Sequence, residues 1–517
     1  MKEIPMLENE YWWGGSTLDG SKQPFCKETS HTSDFRTVCH NQTMPMYLSN
    51  KGRVIWSDEP FKVTIENGKF TFDSDEVVLE NGGSTLRDAY LYAMRHHFPF
   101  SHKKLPEEFF KTAQYNTWMQ FTYDPTEEGV LRYAHDIIDH GYKPGILIID
   151  EGWHGRYGVW EFDKLKFPDP KRMIDELHGL GFKVMLWVVP YVTADGLDFL
   201  HSTMRLFNPE NYDKQFLRTA DGKIAIISWW NGYSAALDMT KQIDRDYLDS
   251  KLQHLMTAYG VDGFKFDGGH VMSYAPWSII NGKLPEGLTP AALNIAWNEF
   301  GEKYKFHEYK DTYRGGGKAV IQRLCDRNHS WDREGINTLI PVAITQGLVG
   351  HPYICPDMIG GGEWTYRTPE KAHLFDPELF VRMAECSALF PMMQFSWAPW
   401  EALSEEYQTY VLKMAELHAG MADEILALVE NTRLSGEPML RSLEYNYPGH
   451  GYCKIHDQFM LGEDIMAAPV VTKGVKEREV VFPEGSWQSQ SGDGTVYSEG
   501  IHTVPSPLGT LPWFRRV

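Results

Sequence analysis

A short apolar segment in the middle of the chain carries a lysine and an aspartate whose types and spacing suit catalysis. Residues 263–269 read Gly-Phe-Lys-Phe-Asp-Gly-Gly, so a strand here turns Phe264 and Phe266 to one face and Lys265 and Asp267 to the other. Opposite charges on a buried strand cost desolvation energy unless partners compensate them, so such charges often belong to a catalytic site. Asp267 is therefore a candidate catalytic carboxylate; the alternative is an aspartate that ends the strand and caps the glycine turn.

The elements that position this segment alternate between strand, loop and helix. Apolar runs at 113–118, 145–150 and 183–190 are separated by amphipathic stretches at 127–140 and 170–180. Continuous apolar strands that alternate with helices indicate a parallel sheet. Because the pattern repeats to about residue 430, the sequence predicts an α/β fold with a closed (β/α)8 TIM barrel.

Three aspartates end apolar runs of this barrel pattern. Asp150 ends Gly-Ile-Leu-Ile-Ile-Asp, Asp267 ends the segment described above, and Asp357 follows Tyr-Ile-Cys-Pro. Catalytic side chains of TIM barrels lie at the C-terminal ends of the strands. We therefore expect these three carboxylates at one end of the barrel.

The regions on either side of the barrel have shorter, alternating apolar runs. Residues 1–105 contain such runs with turns such as Asn-Gly at 67–68, which is typical of antiparallel strands. The sequence therefore predicts an N-terminal β domain at 1–105, the barrel at 106–430 and a C-terminal β-sandwich domain at 431–517. Within the barrel, residues 193–228 are too long for an ordinary loop and are interpreted as an insertion that shapes the site.

Composition limits the classes of partner. The 517 residues contain 50 Lys and Arg against 70 Asp and Glu, a formal charge of −20, which argues against nucleic acid or an anionic membrane as the main partner. A small, neutral oligosaccharide or glycoside fits better. No signal peptide or membrane span is visible, so we expect a cytoplasmic protein; its oligomeric state, a homo-oligomer included, stays open.

Cysteine and histidine spacing gives no sign of a metal or a disulfide framework. The six cysteines lack a Cys-x-x-Cys motif, and none of the 20 histidines belongs to a His-Glu-x-x-His motif. We therefore expect free thiols, no metal and no cofactor. The cysteines are Cys26, Cys39, Cys325, Cys355, Cys386 and Cys453.

Five blocks of the sequence, in order, resemble motifs of glycoside hydrolase family 31, a family of retaining α-glycosidases. The likeness runs from about residue 112 to the C-terminus. The blocks are Trp-Asn-Gly-Tyr-Ser-Ala at 230–235 with Asp238, the strand ending at Asp267, Cys-Asp-Arg-Asn-His-Ser-Trp at 325–331, Pro-Asp-Met-Ile-Gly-Gly at 356–361, and Gly-Glu-Asp-Ile-Met-Ala-Ala-Pro-Val at 462–470.

This resemblance implies a pair of catalytic carboxylates. Asp267 matches the nucleophile of the family and Asp326 matches its acid/base residue. A retaining glycosidase needs two such groups about 5 Å apart. Two alternatives stay open: Asp326 is an ordinary loop aspartate, or nearby Asp332 is the acid/base residue.

The resemblance also implies contacts with the sugar. Asp150 matches an aspartate that binds sugar hydroxyls, Trp230 an aromatic wall, Arg323 an arginine beside the acid/base loop, and Asp357 the aspartate of the seventh strand. For Trp230 the alternative is a core position. For Arg323 the alternative is a purely structural ion pair with Asp357 or Asp326.

Two departures from the α-glucosidases of the family bear on specificity. The nucleophile strand reads Lys265-Phe-Asp in place of Trp-x-Asp, and residues 394–397 read Gln-Phe-Ser-Trp in place of an Arg-x-His motif. A Lys-x-Asp strand resembles the α-galactosidases of families 27 and 36, and the block at 356–361 resembles the myogenesis-regulating-glycosidase branch of α-galactosidases in family 31. The resemblance thus favours an α-galactosidase in which Lys265 donates to the axial hydroxyl.

Other functions remain alternatives. Within the same class these are α-glucosidase, α-xylosidase and α-N-acetylgalactosaminidase. From another class, a non-catalytic carbohydrate-binding barrel is the alternative, since a fold does not guarantee an activity. The presence of both predicted carboxylates favours the enzyme.

Overall fold

A parallel barrel forms the centre of the computed structural model, which describes residues 1–37, 41–492 and 494–517. Its strands are β1 (Gln114–Asn116), β2 (Ile146–Ile149), β3 (Lys183–Val188), β4 (Gly263–Phe266), β5 (Phe306–Tyr309), β6 (Ile321–Arg323), β7 (Ile354–Cys355) and β8 (Gln394–Phe395). Neighbouring strands pair in the order β7-β6-β5-β4-β3-β2-β1-β8, and a backbone hydrogen bond of 2.9 Å from Ile359 N to Gln394 O bridges the remaining seam. The predicted TIM barrel is confirmed.

The first two barrel helices form where the sequence predicts them, with one residue less at the C-terminal end. Glu127–Asp139 follows β1, and its buried residues Val130, Tyr133, Ala134 and Ile137 recur at helical spacing. Thr126 caps this helix by accepting a hydrogen bond from Gly129 N. Pro170–Gly179 follows β2, with Asp169 as its cap and proline at the first position.

Five further long helices follow barrel strands, and an eighth leads out of the barrel. The segment after β4 packs Trp297 against Phe266, which places helix residues over the outward face of the strand. The helices are Gln242–His254 after β3, Pro290–Gly301 after β4, Leu339–Leu348 after β6, Pro377–Ser387 after β7, Glu405–Gly420 after β8, and then Ala422–Ser435.

The connection between β5 and β6 departs from the predicted alternation, because it contains no helix. Residues 310–320 instead supply the short strand Thr312–Tyr313. This strand pairs in parallel with Gln42–Ser49 of the N-terminal region. A barrel helix has no room in so short a connection, and the N-terminal sheet covers this side of the barrel in its place.

The N-terminal β domain is confirmed and contains two sheets. Asn67 and Gly68 have φ angles of 52° and 70°, the left-handed conformation that a tight hairpin turn needs. One sheet has the order Lys2–Pro5, Lys69–Phe72, Lys62–Glu66, His31–Asp34. The other has the order Thr312–Tyr313, Gln42–Ser49, Arg53–Trp56, Val78–Asn81, with Trp12–Ser16 also paired to Gln42–Ser49; the helix Leu86–His97 follows.

The region after β3 forms a small sheet beside the mouth of the barrel. Its three antiparallel strands have the order Tyr191–Thr193, Gly232–Ala236, Ile226–Trp229. Short helical segments complete the chain: Thr17–Lys22, Glu108–Lys111, Trp118–Phe121, Leu197–Thr203, Leu255–Tyr259, Val271–Tyr274, Ile336–Thr338, Trp364–Arg367, Ala372–Leu374, Pro399–Ala402, Leu443–Asn446 and Tyr452–Lys454.

The C-terminal β domain, also confirmed, is built on a six-stranded antiparallel sheet. The order is Leu440–Arg441, Phe459–Leu461, Ile465–Ala467, Trp513–Arg516, Glu477–Ser489, Val496–Pro505. The predicted domain limits at 105/106 and 430/431 stay a proposal, and the second falls within the helix Ala422–Ser435.

The cysteines agree with the sequence prediction as far as the structure describes them. Cys26, Cys325, Cys355, Cys386 and Cys453 are free thiols, whereas Cys39 lies outside the described residues. None of the helices in the described part of the chain is long and apolar enough to cross a bilayer.

Candidate active site

Asp267 lies just beyond β4, where the chain turns sharply. Gly268 and Gly269 have φ angles of 61° and 63°, a conformation that glycine adopts without strain. The turn lets Gly268 N donate to Asp267 Oδ1 at 2.8 Å, while Trp187 Nε1 donates to Oδ2 at 3.1 Å. One donor from its own turn and one from the neighbouring strand β3 therefore fix the orientation of this carboxylate.

The surroundings of Asp267 keep it ionised. Burial opposes its charge, but Lys310, the hydrogen bond from His270, and Lys265 outweigh this cost and hold the pKa of Asp267 well below its usual value. His270 Nε2 is 3.5 Å from Asp267 Oδ1. An ionised, oriented carboxylate has the properties that a nucleophile requires.

Lys265 pairs with Asp150 across the interior of the barrel. Its Nζ is 2.5 Å from Asp150 Oδ2, and both side chains are only 3% exposed. Asp150 is held in turn by its own backbone N–H, which donates to Thr117 Oγ1 at 2.8 Å. The lysine that shares a strand with Asp267 thus forms its ion pair with the carboxylate at the end of β2.

Asp326 lies between two cations on the opposite side of the site. Lys310 Nζ is 2.7 Å from Oδ2 and Arg323 Nη1 is 2.9 Å from Oδ1. Burial raises the pKa of Asp326, but Lys310 and Arg323 outweigh it and bring the pKa to about 2. The side chain is 28% exposed, so this carboxylate faces the mouth of the barrel.

Asp357 holds the loop that carries Asp326. Its Oδ1 accepts from Arg323 Nη1 at 2.7 Å, and its Oδ2 accepts from the backbone N–H groups of Arg327 at 2.6 Å and Gly362 at 2.7 Å. Burial raises its pKa to about 6 against the effect of Arg323. Since both oxygens are engaged, this geometry gives Asp357 a positioning role; its predicted contact with the sugar stays a prediction.

Trp230 stands at the mouth of the barrel and is held there by Glu151. The indole is 48% exposed, so the alternative of a core position for Trp230 is wrong. Its Nε1 donates to Glu151 Oε2 at 3.4 Å, and Asn231 Nδ2 donates to Oε1 of the same carboxyl. Burial, with the charges of Asp150 and Asp267, raises the pKa of Glu151 to about 8, so Glu151 is protonated at neutral pH.

The structure brings all seven predicted residues into one network. Asp267 lies within the field of both lysines, Lys265 binds Asp150, and Glu151, the next residue, binds Trp230. Arg323 contacts both Asp326 and Asp357, and these contacts agree with the alternative of a structural ion pair. The contact of Arg323 with a sugar therefore stays a prediction.

Sequence reasoning missed Trp187 and His270 beside Asp267, and it missed Lys310 and Glu151. Lys310 directly follows β5 and Glu151 is the second residue after β2. Both therefore occupy the C-terminal ends of barrel strands, the positions that singled out the three aspartates. This position could have identified both residues from the sequence, but neither of them lies in a motif of the family.

A TIM barrel with a pair of carboxyl groups at the C-terminal ends of its strands is an arrangement typical of retaining glycosidases. Comparison with known families agrees. Residues 103–422 match the model described as the glycosyl hydrolases family 31 TIM-barrel domain, and residues 436–517 match the family 31 C-terminal domain. The chain belongs to glycoside hydrolase family 31.

Individual relatives support the same assignment. The chain is 32% identical over 418 residues to mouse myogenesis-regulating glycosidase, covering 80% of this chain and 57% of the relative. It is 23% identical over 425 residues to alpha-glucosidase 2 of Bacillus thermoamyloliquefaciens, covering 76% and 51%. The chain therefore spans little more than half the length of these relatives.

Among solved structures, a family 31 dextranase of Flavobacterium johnsoniae, complexed with glucose, has a TM-score of 0.85. It is 18% identical and is matched over 100% of this chain and 66% of its own. At this identity the likeness supports the fold alone.

Proposed function

We propose that the chain is a retaining exo-α-glycosidase that acts on small oligosaccharides or glycosides, with α-galactosides as its preferred substrates. The observation that carries the proposal is that two oriented carboxylates, Asp267 and Asp326, both lie within the field of Lys310, which bonds Asp326 and whose charge lowers the pKa of both.

In the first step of the proposed mechanism, Asp267 attacks the anomeric carbon. The bond from this carbon to the leaving oxygen breaks, and the oxygen takes a proton from Asp326, which leaves a β-glycosyl ester on Asp267. In the second step a water attacks the same carbon, Asp326 takes a proton from that water, and the Asp267 carboxylate is released.

The charge state of Asp326 sets a condition on the first step. At neutral pH its low pKa leaves Asp326 ionised, yet the leaving oxygen needs a proton. Activity toward poor leaving groups should therefore rise as the pH falls, as long as Asp267 stays ionised. Lys310 and Arg323 set this limit, since both donate directly to Asp326.

The pair formed by Lys265 and Asp150 supports galactose as the glycone. An ammonium has three N–H groups, and the hydrogen bond from Lys265 to Asp150 uses one of them. In our proposal the remaining donors serve the axial hydroxyl of galactose, while Asp150 accepts from a neighbouring hydroxyl. The similarity to myogenesis-regulating glycosidase supports the same branch.

The test compares para-nitrophenyl α-galactoside with the matching α-glucoside, α-xyloside and α-N-acetylgalactosaminide. We expect preference for the galactoside and its complete loss in Asp267→Asn, which keeps the size of the side chain. Preference for another glycoside would keep the class and reject the role given to Lys265. Sugar binding without turnover of any of the four would support the non-catalytic alternative.

Asp326→Asn separates the acid/base role from the nucleophile. We expect this variant to lose about 10²- to 10⁴-fold in kcat/KM on a disaccharide, whose leaving group needs a proton, and much less on the para-nitrophenyl substrate. Asp332→Asn is the matched control, because the Asp332 side chain is exposed and accepts from Ser330 Oγ and Glu334 N within its own turn. An equal loss in both variants would contradict the assignment.

A further inference from the structure

We propose that Trp364 and Tyr123 form a binding site for the leaving group, so that the substrates are α-glycosides whose aglycone is itself a sugar ring. This inference rests on the proposed function and adds the class of aglycone. It is carried by the position of the two rings relative to Asp326 and by their exposed faces.

The segment that carries Trp364 touches the candidate acid/base residue. A Cβ atom on Gly362 would lie 2.9 Å from Asp326 Oδ1 and 2.6 Å from Asp357 Oδ1, so the backbone here runs directly against both carboxyl groups. Gly362 O also accepts from Trp118 Nε1 at 3.0 Å. Since the acid/base residue protonates the leaving oxygen, the aglycone leaves on the side where this segment lies.

Three aromatic rings follow one another on that side. Trp118 and Tyr123 are 5.1 Å apart at 85°, and Tyr123 and Trp364 are 6.0 Å apart at 77°. Tyr123 is 37% exposed and Trp364 is 36% exposed. Tyr123 is thus anchored by two edge-to-face contacts and Trp364 by one, and both keep part of their surface free for a ligand.

Polar groups beside these rings favour a sugar over a purely apolar aglycone. The Tyr123 side chain is hydrogen-bonded to Asn231, and the carboxyl groups of Glu151 and Glu363 lie close enough to raise its pKa to about 12, with burial as the main cause. A sugar ring has one apolar face and a rim of hydroxyls. Such a ring can stack on an aromatic side chain while its hydroxyls meet these polar groups.

Asn231 connects this aromatic side to the opposite wall of the mouth. It bonds both Tyr123 and Glu151, and Glu151 also holds Trp230. Single exposed aromatics are ordinary on protein surfaces. Here three rings that are each more than one third exposed, namely Trp230, Tyr123 and Trp364, belong to one set of contacts. Asn231 and Glu151 connect Trp230 with Tyr123, and Tyr123 contacts Trp364 directly.

The experiment measures kcat/KM for two substrates with the same glycone, a disaccharide and the glycosyl fluoride, which has no aglycone ring. For Trp364→Ala we expect kcat/KM for the disaccharide, divided by kcat/KM for the fluoride, to fall about tenfold, because stacking acts only on the aglycone. For Trp364→Phe, which keeps an aromatic ring, this ratio should recover partly. Trp277→Ala is the matched control, since Trp277 is an exposed tryptophan outside this network; its ratio should stay at the wild-type value.

The outcomes separate this inference from the function on which it rests. An unchanged ratio in Trp364→Ala, with the wild type active on both substrates, would overturn the inference alone. If the wild type hydrolyses neither substrate, the proposed function fails and the inference with it. A para-nitrophenyl glycoside in the same assay tests the aryl alternative: a loss on this substrate but not on the disaccharide would contradict the sugar assignment.

Discussion

Two lysine–aspartate pairs in the same barrel differ mainly in how much of them water reaches. Lys265 and Asp150 are 2.5 Å apart and each 3% exposed, whereas Lys310 and Asp326 are 2.7 Å apart and 12% and 28% exposed. In the closed pair a lost partner leaves an unpaired buried charge. In the open pair water and substrate reach the carboxylate. In the proposed function, the first pair is therefore a fixed part of the glycone pocket and the second is the group that exchanges protons.

Breaking the closed pair should have the largest effect. Lys265→Met leaves Asp150 buried without its cation, and we expect the free energy of unfolding to fall by about 3–5 kcal/mol, with loss of activity. Urea denaturation measures the first effect. The double variant with Asp150→Asn should recover most of the stability without the activity. If Lys265→Met is as stable as the wild type, water reaches Asp150 and the pair is not closed.

Breaking the open pair should instead shift the pH dependence. Lys310→Met removes a cation from Asp326, so the pKa of Asp326 should rise by about 1–2 units from its low value. The alkaline limb of kcat/KM on a disaccharide should move upward by the same amount, since more of Asp326 is protonated at each pH. Asp267 starts well below its usual pKa and should stay ionised near neutral pH.

The matched control for this shift lies on the same connection between β5 and β6. Lys318 pairs with Glu302 at 2.6 Å, so Lys318→Met changes an equal charge without touching Asp326. Its pH profile should match that of the wild type. If both variants shift alike, the cause is the overall charge of the protein and Lys310 loses its assigned effect.

Glu151 sharpens the comparison, because it is buried like the closed pair but uncharged, and its effect per pH unit is smaller. Its pKa is about 8 against the ordinary 4.5, so the folded protein holds this proton more tightly than the unfolded chain. The free energy of unfolding should therefore fall as the pH rises from about 4.5 to about 8, by about 1.4 kcal/mol per unit.

Glu151→Gln should remove that slope, since glutamine resembles the protonated acid and does not titrate. Urea midpoints at pH 6 and pH 8 measure it in the variant and in the wild type. Glu128→Gln, at an exposed helix position, should keep the wild-type slope. Equal slopes in Glu151→Gln and the wild type would mean that Glu151 is ionised in the folded protein.

Much of the barrel could be predicted from local pattern. The helices at 127–140 and 170–180 end within one residue of Asp139 and Gly179, because caps and apolar spacing lie inside each segment. The missing helix after β5 could not be predicted in this way. It depends on Thr312–Tyr313 pairing with a strand about 270 residues earlier, which no local window contains.

The candidate site divides in the same way. Asp150, Asp267, Asp326 and Asp357 were visible as carboxylates at strand ends or in motif blocks, and Lys265 as a charge inside a strand. The partner of Lys265 was not visible, because Asp150 is 115 positions away. The pairing of Arg323 with Asp357, 34 positions away, was considered only as an alternative. Lys310 and Glu151 gained their importance only from such contacts.

The sequence by itself determined the strand and helix pattern, the charged residues at the strand ends and the motifs of the family, because each depends on neighbours along the chain. Only the tertiary structure decided which charges pair, which are exposed and which carboxyl keeps its proton. Those properties depend on distances of a few ångströms and on exclusion of water, and both arise only when distant strands close into one barrel.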